Sequence, residues 1–245
     1  MIDVTSSQLP LGAGSGSSDV EALPAATTIV LRGDPFEVLL LRRHEKSTFV
    51  PGSWVFPGGA VDDADRAAAE TMATGDRTLN VMKISAIREL FEEAGIWTGT
   101  APDDLQSRRQ TLLHSAGGFA ELLSQFPVDL DQLVLTARWI TPLGVRKRYD
   151  TWFFLVEVPP HSVATADERE AVEITWVTPS EALERNRNGA MPMVFPTIRN
   201  LEAIVEYSSP AALLSARRSA KVKTTRPILV VDGDSKKIIL PDDGS

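Results

Sequence analysis

Three glutamates in one short segment are the residues of this chain best suited to chemistry. Glu89, Glu92 and Glu93 lie in the segment 88–96, which reads Arg-Glu-Leu-Phe-Glu-Glu-Ala-Gly-Ile. Positions i, i+3 and i+4 share one face of a helix, so the three carboxylates would repel one another there. A hard divalent cation such as Mg²⁺ or Mn²⁺ would relieve the repulsion, because it prefers carboxylate oxygens. The alternative reading is a solvated acidic helix face, which is what most charge runs are.

A helix and a sheet are needed to position these carboxylates. The apolar spacing of Ile84, Ile87, Leu90 and Phe91 predicts a helix over 83–94, which Gly95 would end. Alternating or continuous apolar runs predict strands at 26–31, 37–42, 132–140, 151–158 and 173–177. Further helices are predicted over 180–187 and around 198–205, and 227–231 with 237–240 predicts a terminal hairpin. Strands and helices therefore interleave in an α/β pattern.

A glycine pair some thirty residues upstream completes a known pattern. Together with the acidic segment, the stretch 54–62 resembles the Nudix box, G-x5-E-x7-R-E-U-x-E-E-x-G-U, in which U is a bulky aliphatic residue. Eight of the nine fixed positions are filled, namely by Gly59, Arg88, Glu89, Leu90, Glu92, Glu93, Gly95 and Ile96. The ninth, the first glutamate, falls at Asp65. Between Asp65 and Arg88 stand residues 66–87 where the box allows seven, so about fifteen are inserted.

The resemblance implies a Nudix α/β/α sandwich, a mixed sheet between helices. It also implies that Glu89, Glu92 and Glu93 bind Mg²⁺ or Mn²⁺, and that the Gly59 carbonyl is a further metal ligand. One of the carboxylates would position or deprotonate the attacking water. Arg88 would orient a glutamate through a bidentate pair, which lysine cannot form.

Other charged residues are candidates outside the box. Nudix chains often carry another catalytic or metal-binding glutamate near Glu170 and Glu173, and Glu173 is the predicted ligand; exposed positions flanking a strand are the alternative. An anionic substrate also needs cations in an acidic protein. The candidates follow the second strand or precede the strand at 151, and they are Arg42, Arg43, Arg146, Lys147 and Arg148.

Composition limits the classes of partner. The formal net charge is −8, which disfavours nonspecific nucleic-acid binding, although a bound metal can still attract a small anion. The sequence has no apolar run long enough to span a membrane and begins with no signal peptide, so no membrane association is predicted. It contains no cysteine, which excludes disulfides and thiol catalysis and agrees with a predicted cytoplasmic location. Oligomeric state is not readable, and a homodimer is left open.

Three regions are predicted along the chain. Residues 1–24, rich in Ser, Gly and Pro, are expected to form a flexible tail. A Nudix domain is expected over 25–207, with an insert in the box at 66–82 and a helical insertion at about 101–127. Residues 208–245 would form an appendage of a helix and a hairpin.

Longer stretches of similarity point to one branch of the family. Residues 39–43 and 49–59, together with 139–142, 149–154 and 192–201, resemble a Nudix branch with an interrupted box that includes the mammalian peroxisomal coenzyme A diphosphatase. That branch implies cleavage of coenzyme A or acyl-coenzyme A to 3′,5′-ADP and a phosphopantetheine. Two alternatives stay open: a Nudix pyrophosphatase for ADP-ribose, NADH or another dinucleotide, and a catalytically silent Nudix fold that only binds.

Overall fold

A mixed β-sheet with helices on both faces forms the body of the protein in a computed structural model. The structure describes residues 20–47, 50–71, 75–100, 102–112, 114, 118–145, 147–232 and 235–240. Most of the predicted N-terminal tail therefore lies outside the described residues.

Ten strands occur among the described residues. They are β1 (Leu23–Arg32), β2 (Glu37–Arg43), β3 (Trp54–Val55), β4 (Gly58–Ala60), β5 (Val134–Ile140), β6 (Tyr149–Glu157), β7 (Ala171–Val177), β8 (Thr224–Thr225), β9 (Ile228–Asp232) and β10 (Ser235–Ile239). The first eight form one sheet in the order β3-β2-β1-β6-β5-β8, with β4 paired to β1 and β7 to β2. The β1–β6 and β5–β8 pairs are parallel and the others antiparallel, so the sheet is mixed as predicted.

The described part of the chain also contains seven helices and one 3₁₀ turn. They are α1 (Asp63–Glu70), α2 (Arg77–Ala94), α3 (Leu105–Leu112), α4 (Gly118–Gln125), the 3₁₀ turn Leu130–Gln132, α5 (Pro179–Arg187), α6 (Phe195–Glu202) and α7 (Pro210–Arg218). Helices α1, α2 and α4 pack on one face of the sheet through the first core cluster. Helices α5, α6 and α7 pack on the other face through a second cluster, which includes Ala182, Leu201 and Leu213.

Alternation along β1 explains how one strand serves both cores. Ala26 and Val30 belong to the cluster under α2, whereas Ile29 and Leu31 belong to the opposite cluster. Successive side chains of a strand point to opposite faces, so a central strand must be apolar on both. Strand β1 begins at Leu23, inside the range predicted as tail.

Helix α2 is longer than the helix that the apolar residues predicted over 83–94. It begins at Arg77 rather than at Lys83, because the Asp76 side chain accepts a hydrogen bond from Leu79 N–H and so caps the helix. Val81 and Met82 are buried within this added part. Part of the predicted insert 66–82 is therefore the first turns of the main helix.

Glycine at position 95 ends α2 in the left-handed conformation, with φ of 70°. We expect Gly95→Ala to cost about 1–2 kcal/mol from backbone strain, plus the displacement of Arg109, whose Nη1 would lie 2.9 Å from the new Cβ. Gly189→Ala is the matched control, because φ is 81° there and no described atom lies within 4 Å of the new Cβ. Urea unfolding should show the greater loss for Gly95→Ala, and equal losses would contradict a packing role for this glycine.

Candidate active site

The arginine at the start of the acidic segment is the centre of a buried ion-pair network. Arg88 Nε and Nη2 donate to the two oxygens of Asp65 at 2.8 and 2.9 Å. Nη2 also donates to the Ala60 carbonyl at 3.0 Å, while Nη1 lies 2.9 Å from both Glu89 Oε1 and Glu92 Oε2. One guanidinium thus joins α1, β4 and α2, which is the fork geometry that arginine alone provides.

Asp65 is the residue whose importance the sequence showed least clearly. It is fully buried in the first turn of α1, where it also accepts a hydrogen bond from Asp62 N–H as half of a capping box. The insert 66–82 includes most of α1 and the first turns of α2, and these two helices pack together so that Asp65 contacts Arg88. An aspartate at the N-terminus of a separate helix here supplies the bidentate carboxylate that holds Arg88.

Glycines 58 and 59 bring β4 close against the glutamates. Gly58 N–H donates to Glu93 Oε2 at 2.8 Å. A Cβ placed on Gly59 would collide with the Glu89 carboxylate, whose Cδ would lie 2.6 Å away. Only glycine permits this approach, and it allows Glu89 to reach the rim of a cavity on the far side of β4.

Burial raises the pKa of each glutamate. The pKa of Glu89 rises to about 7, because burial and the charge of Glu92 outweigh the attraction of Arg88. Burial and the charge of Glu89 raise the pKa of Glu93, against the opposing effects of Gly58 N–H and Arg43. Burial also lowers the pKa of Arg88, but its bonds to Asp65 and the charges of Glu89 and Glu92 raise it overall. The positive charges of Arg88 and Arg43 therefore do not offset the effect of burial on these glutamates.

A divalent cation would supply the positive charge that these buried glutamates lack. The donors are hard carboxylate oxygens, and two of the glutamates are buried side by side with too little compensating charge. Within the described residues no three acidic or histidine side chains already surround one point. Arg88 instead holds Glu89 and Glu92, and Gly58 holds Glu93, so a bound ion would share these carboxylates with the arginine and the backbone.

Glu170, and not Glu173, lies near the cluster. The charge of Glu170 contributes to the raised pKa of both Glu89 and Glu93, and its Oε2 lies 3.8 Å from Arg43 Nη2. Glu173 pairs with Arg42 at 3.5 Å in a separate depression. Side-chain alternation on β7 turns Glu173 away from α2, which removes it from the candidate metal ligands.

The arginines predicted to bind the substrate also lie in different places, and only some of them reach the cavity. Arg43 lines the cavity, and among the described residues its buried Nε has no hydrogen-bond partner. Arg42 faces away with Glu173, so it is not a phosphate contact at this site. Arg148 donates to the carbonyls of Thr141 and Val20 and therefore anchors a loop, and Arg146 lies outside the described residues.

A cavity of about 730 Å³ opens beside the glutamates. Its charged lining includes Arg43, Lys46, Arg88, Glu89, Lys147, Arg169 and Glu170. Lys147 belongs to the predicted group of cations. Lys46 and Arg169 were not predicted, since nothing in their spacing relates them to the box. A cavity with both carboxylates and several cations suits an anionic substrate brought to a metal.

Comparison with known proteins assigns the family. A sequence model of the NUDT19 Nudix domain matches residues 68–204, more than half of the chain. The chain belongs to the NUDT19 Nudix family. This family match and the layered fold confirm the predicted Nudix resemblance and architecture.

Relatives and a solved structure agree with this assignment. The acyl-coenzyme A diphosphatase NUDT19 of Gallus gallus is 28% identical over 238 residues, with 71% of this chain and 62% of that protein covered. The Homo sapiens protein of the same name is 27% identical, with 85% and 72% covered. Putative nudix hydrolase 7 of Caenorhabditis elegans is 27% identical, with 72% and 58% covered.

The chain thus spans about three fifths of the length of the nematode and chicken proteins. A NUDIX hydrolase crystal structure from Alicyclobacillus acidocaldarius superposes with a TM-score of 0.71 at 28% identity, covering 80% of this chain and 96% of that one. In the described ranges, no helix is both long and apolar enough to cross a bilayer.

Removing the carboxylate of Asp65 tests the ion-pair network. We expect Asp65→Ala to lower the free energy of unfolding by about 3–5 kcal/mol, because Arg88 would stay buried with its bidentate partner gone. Asp63→Ala is the matched control: this neighbouring side chain is exposed and lies 3.9 Å from Arg66, so its loss should leave the free energy of unfolding nearly unchanged. Similar losses in denaturant unfolding would contradict the central position of Asp65.

Proposed function

We propose that this chain is a divalent-metal-dependent Nudix diphosphatase whose substrate is coenzyme A or acyl-coenzyme A. The products would be 3′,5′-ADP and phosphopantetheine or its acyl form. The observation that carries the proposal is the cluster of Glu89 and Glu92 on Arg88, with Glu93 held by Gly58 N–H, at the edge of a cavity lined by cations. The names of the chicken and human relatives support the choice of substrate.

The reaction needs water to attack one phosphorus of the diphosphate while the bridging P–O bond breaks. Bound Mg²⁺ or Mn²⁺ would neutralise charge on the phosphate oxygens and lower the pKa of a bound water. Glu89, Glu92 and Glu93 would hold the ion, with Glu170 and the Gly59 carbonyl as further proposed ligands.

The remaining residues would orient the cluster and bind the substrate. Arg88 keeps Glu89 and Glu92 in place through its Nη1 group. The unpaired Nε of Arg43 would donate to a phosphate oxygen, since a buried donor without a partner is costly. A carboxylate of the cluster would accept the proton of the attacking water.

Neutral replacement of the cluster carboxylates tests the site. We expect Glu93→Gln and Glu92→Gln to lower kcat by roughly 10²–10⁴ while the fold survives, because the amide neither binds the ion as well nor accepts a proton. Glu173→Gln is the matched control, since this glutamate lies in the other depression, and its kcat should stay within about twofold. Normal turnover and metal affinity in Glu93→Gln would remove Glu93 from the mechanism.

A substrate panel with product masses tests the chemistry. Under saturating Mg²⁺ or Mn²⁺, the protein should convert coenzyme A to 3′,5′-ADP and phosphopantetheine in preference to ADP-ribose or NADH. Faster cleavage of ADP-ribose or NADH would reject the coenzyme A assignment but keep a Nudix hydrolase. Binding without any hydrolysis would reject an enzymatic role.

A further inference from the structure

The floor of the cavity crosses the sheet from the glutamates to the C-terminal hairpin. Its floor residues include Ala25, Thr27, Thr151, Phe153 and Trp139. These lie on the face opposite α2, because Phe153 and Trp139 belong to the core cluster of α6 and α7. From β4 through β1 and β6 to β5 the lined floor crosses three strand spacings, which amounts to about 14 Å. The cavity therefore suits a long substrate.

The end remote from the glutamates is apolar and is partly built by the hairpin. Trp139 and Phe195 meet edge to face, with ring centroids 6.0 Å apart. Ile238 of β10 is 3% exposed and packs with Phe195, and Pro227 adds to the same wall. Both hairpin residues follow position 204, where the match to the family ends.

We propose that this apolar end binds the acyl end of the pantetheine arm and that Ile238 determines acyl specificity. This inference rests on the proposed function. Each methylene buried there would strengthen binding roughly fourfold. An adenine ring fits this wall less well, because its polar edge needs hydrogen-bond partners that Phe195, Ile238 and Pro227 do not offer.

Shortening Ile238 tests this assignment. We expect Ile238→Ala to lower the ratio of kcat/KM for a medium-chain acyl-coenzyme A to that for coenzyme A by about tenfold. Ile228→Ala is the matched control, because Ile228 lies on the same hairpin and is 54% exposed; its ratio should stay within about twofold. Ile238→Trp should fill the end of the cavity and reduce acyl-coenzyme A cleavage while sparing coenzyme A.

Two other results would reject either the acyl assignment or the proposed function. Equal losses on both compounds in Ile238→Ala and Ile238→Trp would overturn the acyl assignment and place the adenosine, or a purely structural contact, at this end. If the wild-type protein cleaves neither compound, the proposed function itself fails. The wild-type turnover and the variant ratio therefore separate the two failures.

A second inference rests on different contacts, those of Arg109 in the helical insertion. Its side chain is 2% exposed, although it carries a charge. Nε and Nη2 donate to the Glu92 carbonyl at 3.2 and 3.0 Å, and Nη1 donates to Thr165 Oγ1 at 2.8 Å. A guanidinium in this place satisfies a terminal carbonyl of α2 and opposes the negative end of the helix dipole.

The segment beginning at Thr165 leads to Glu170. Thr165 N–H donates to the Ala94 carbonyl at 3.0 Å, which attaches the segment to the end of α2. The Asp167 carboxylate then accepts hydrogen bonds from the N–H groups of Glu170 and Ala171. Arg109 therefore connects the helix that carries Glu92 and Glu93 with the segment that carries Glu170.

We infer that Arg109 is a positioning residue that fixes Glu170 relative to the glutamates of α2. Arg109→Met should lower kcat/KM by about 10–100-fold and raise the half-saturating Mn²⁺ concentration, as for other residues that orient metal ligands. Arg108→Met is the matched control, because Arg108 pairs with Asp104 on the exposed side of the same helix. Its effect should stay within about twofold.

Thr165→Val separates positioning from folding. It removes the bond to the Glu170 segment while leaving both bonds to the Glu92 carbonyl. A raised half-saturating Mn²⁺ concentration in the folded Thr165→Val protein supports positioning. Lower thermal stability with unchanged metal dependence in Arg109→Met and Thr165→Val would overturn it.

Discussion

The charge balance around one buried guanidinium constrains the rest of this structure. Arg88 is 6% exposed and faces Asp65, Glu89 and Glu92 at hydrogen-bonding distance. An unpaired charge in such a place would cost several kcal/mol. Helix α1, strand β4 and helix α2 must therefore dock together, because each contributes a partner to the same arginine. This docking also places the glutamates that we propose bind the metal.

The sheet divides the chemical tasks between its two faces. Helix α2 and its carboxylates lie on one face, and the floor of the cavity lies on the other. Gly58 and Gly59 allow the glutamates to reach the cavity edge, since side chains there would collide with the Thr27 backbone or with the Glu89 carboxylate. The glycine pair thus brings the glutamate cluster to the edge of the cavity that is lined by cations.

Local patterns were sufficient to predict the α/β class and the central helix. The spacing of the glutamates and the position of Gly95 depend only on helix geometry, and the structure has α2 end at Gly95 as predicted. Long-range pairing was not predictable in the same way. The partnership of Asp65 with Arg88 spans the insert, and no periodicity reveals it.

Small shifts in register decided which other charges reach the site. Arg42 and Arg43 are adjacent in sequence, yet alternation and an irregularity in the β2–β7 register send them to different depressions. The same reason separates Glu170 from Glu173. The contribution of Ile238 depends on how the C-terminal hairpin packs against Phe195, which a hairpin pattern alone cannot specify.

Anomalous diffraction from crystals of the protein soaked with Mn²⁺ would locate a bound ion relative to the three glutamates. We expect an anomalous peak within coordination distance of oxygens from Glu89 and Glu93, on the cavity side of Gly59. The result that would contradict a metal site at these glutamates is an anomalous peak elsewhere in catalytically active crystals. In that case the Arg88 network would be unchanged and all three glutamates would be free of metal.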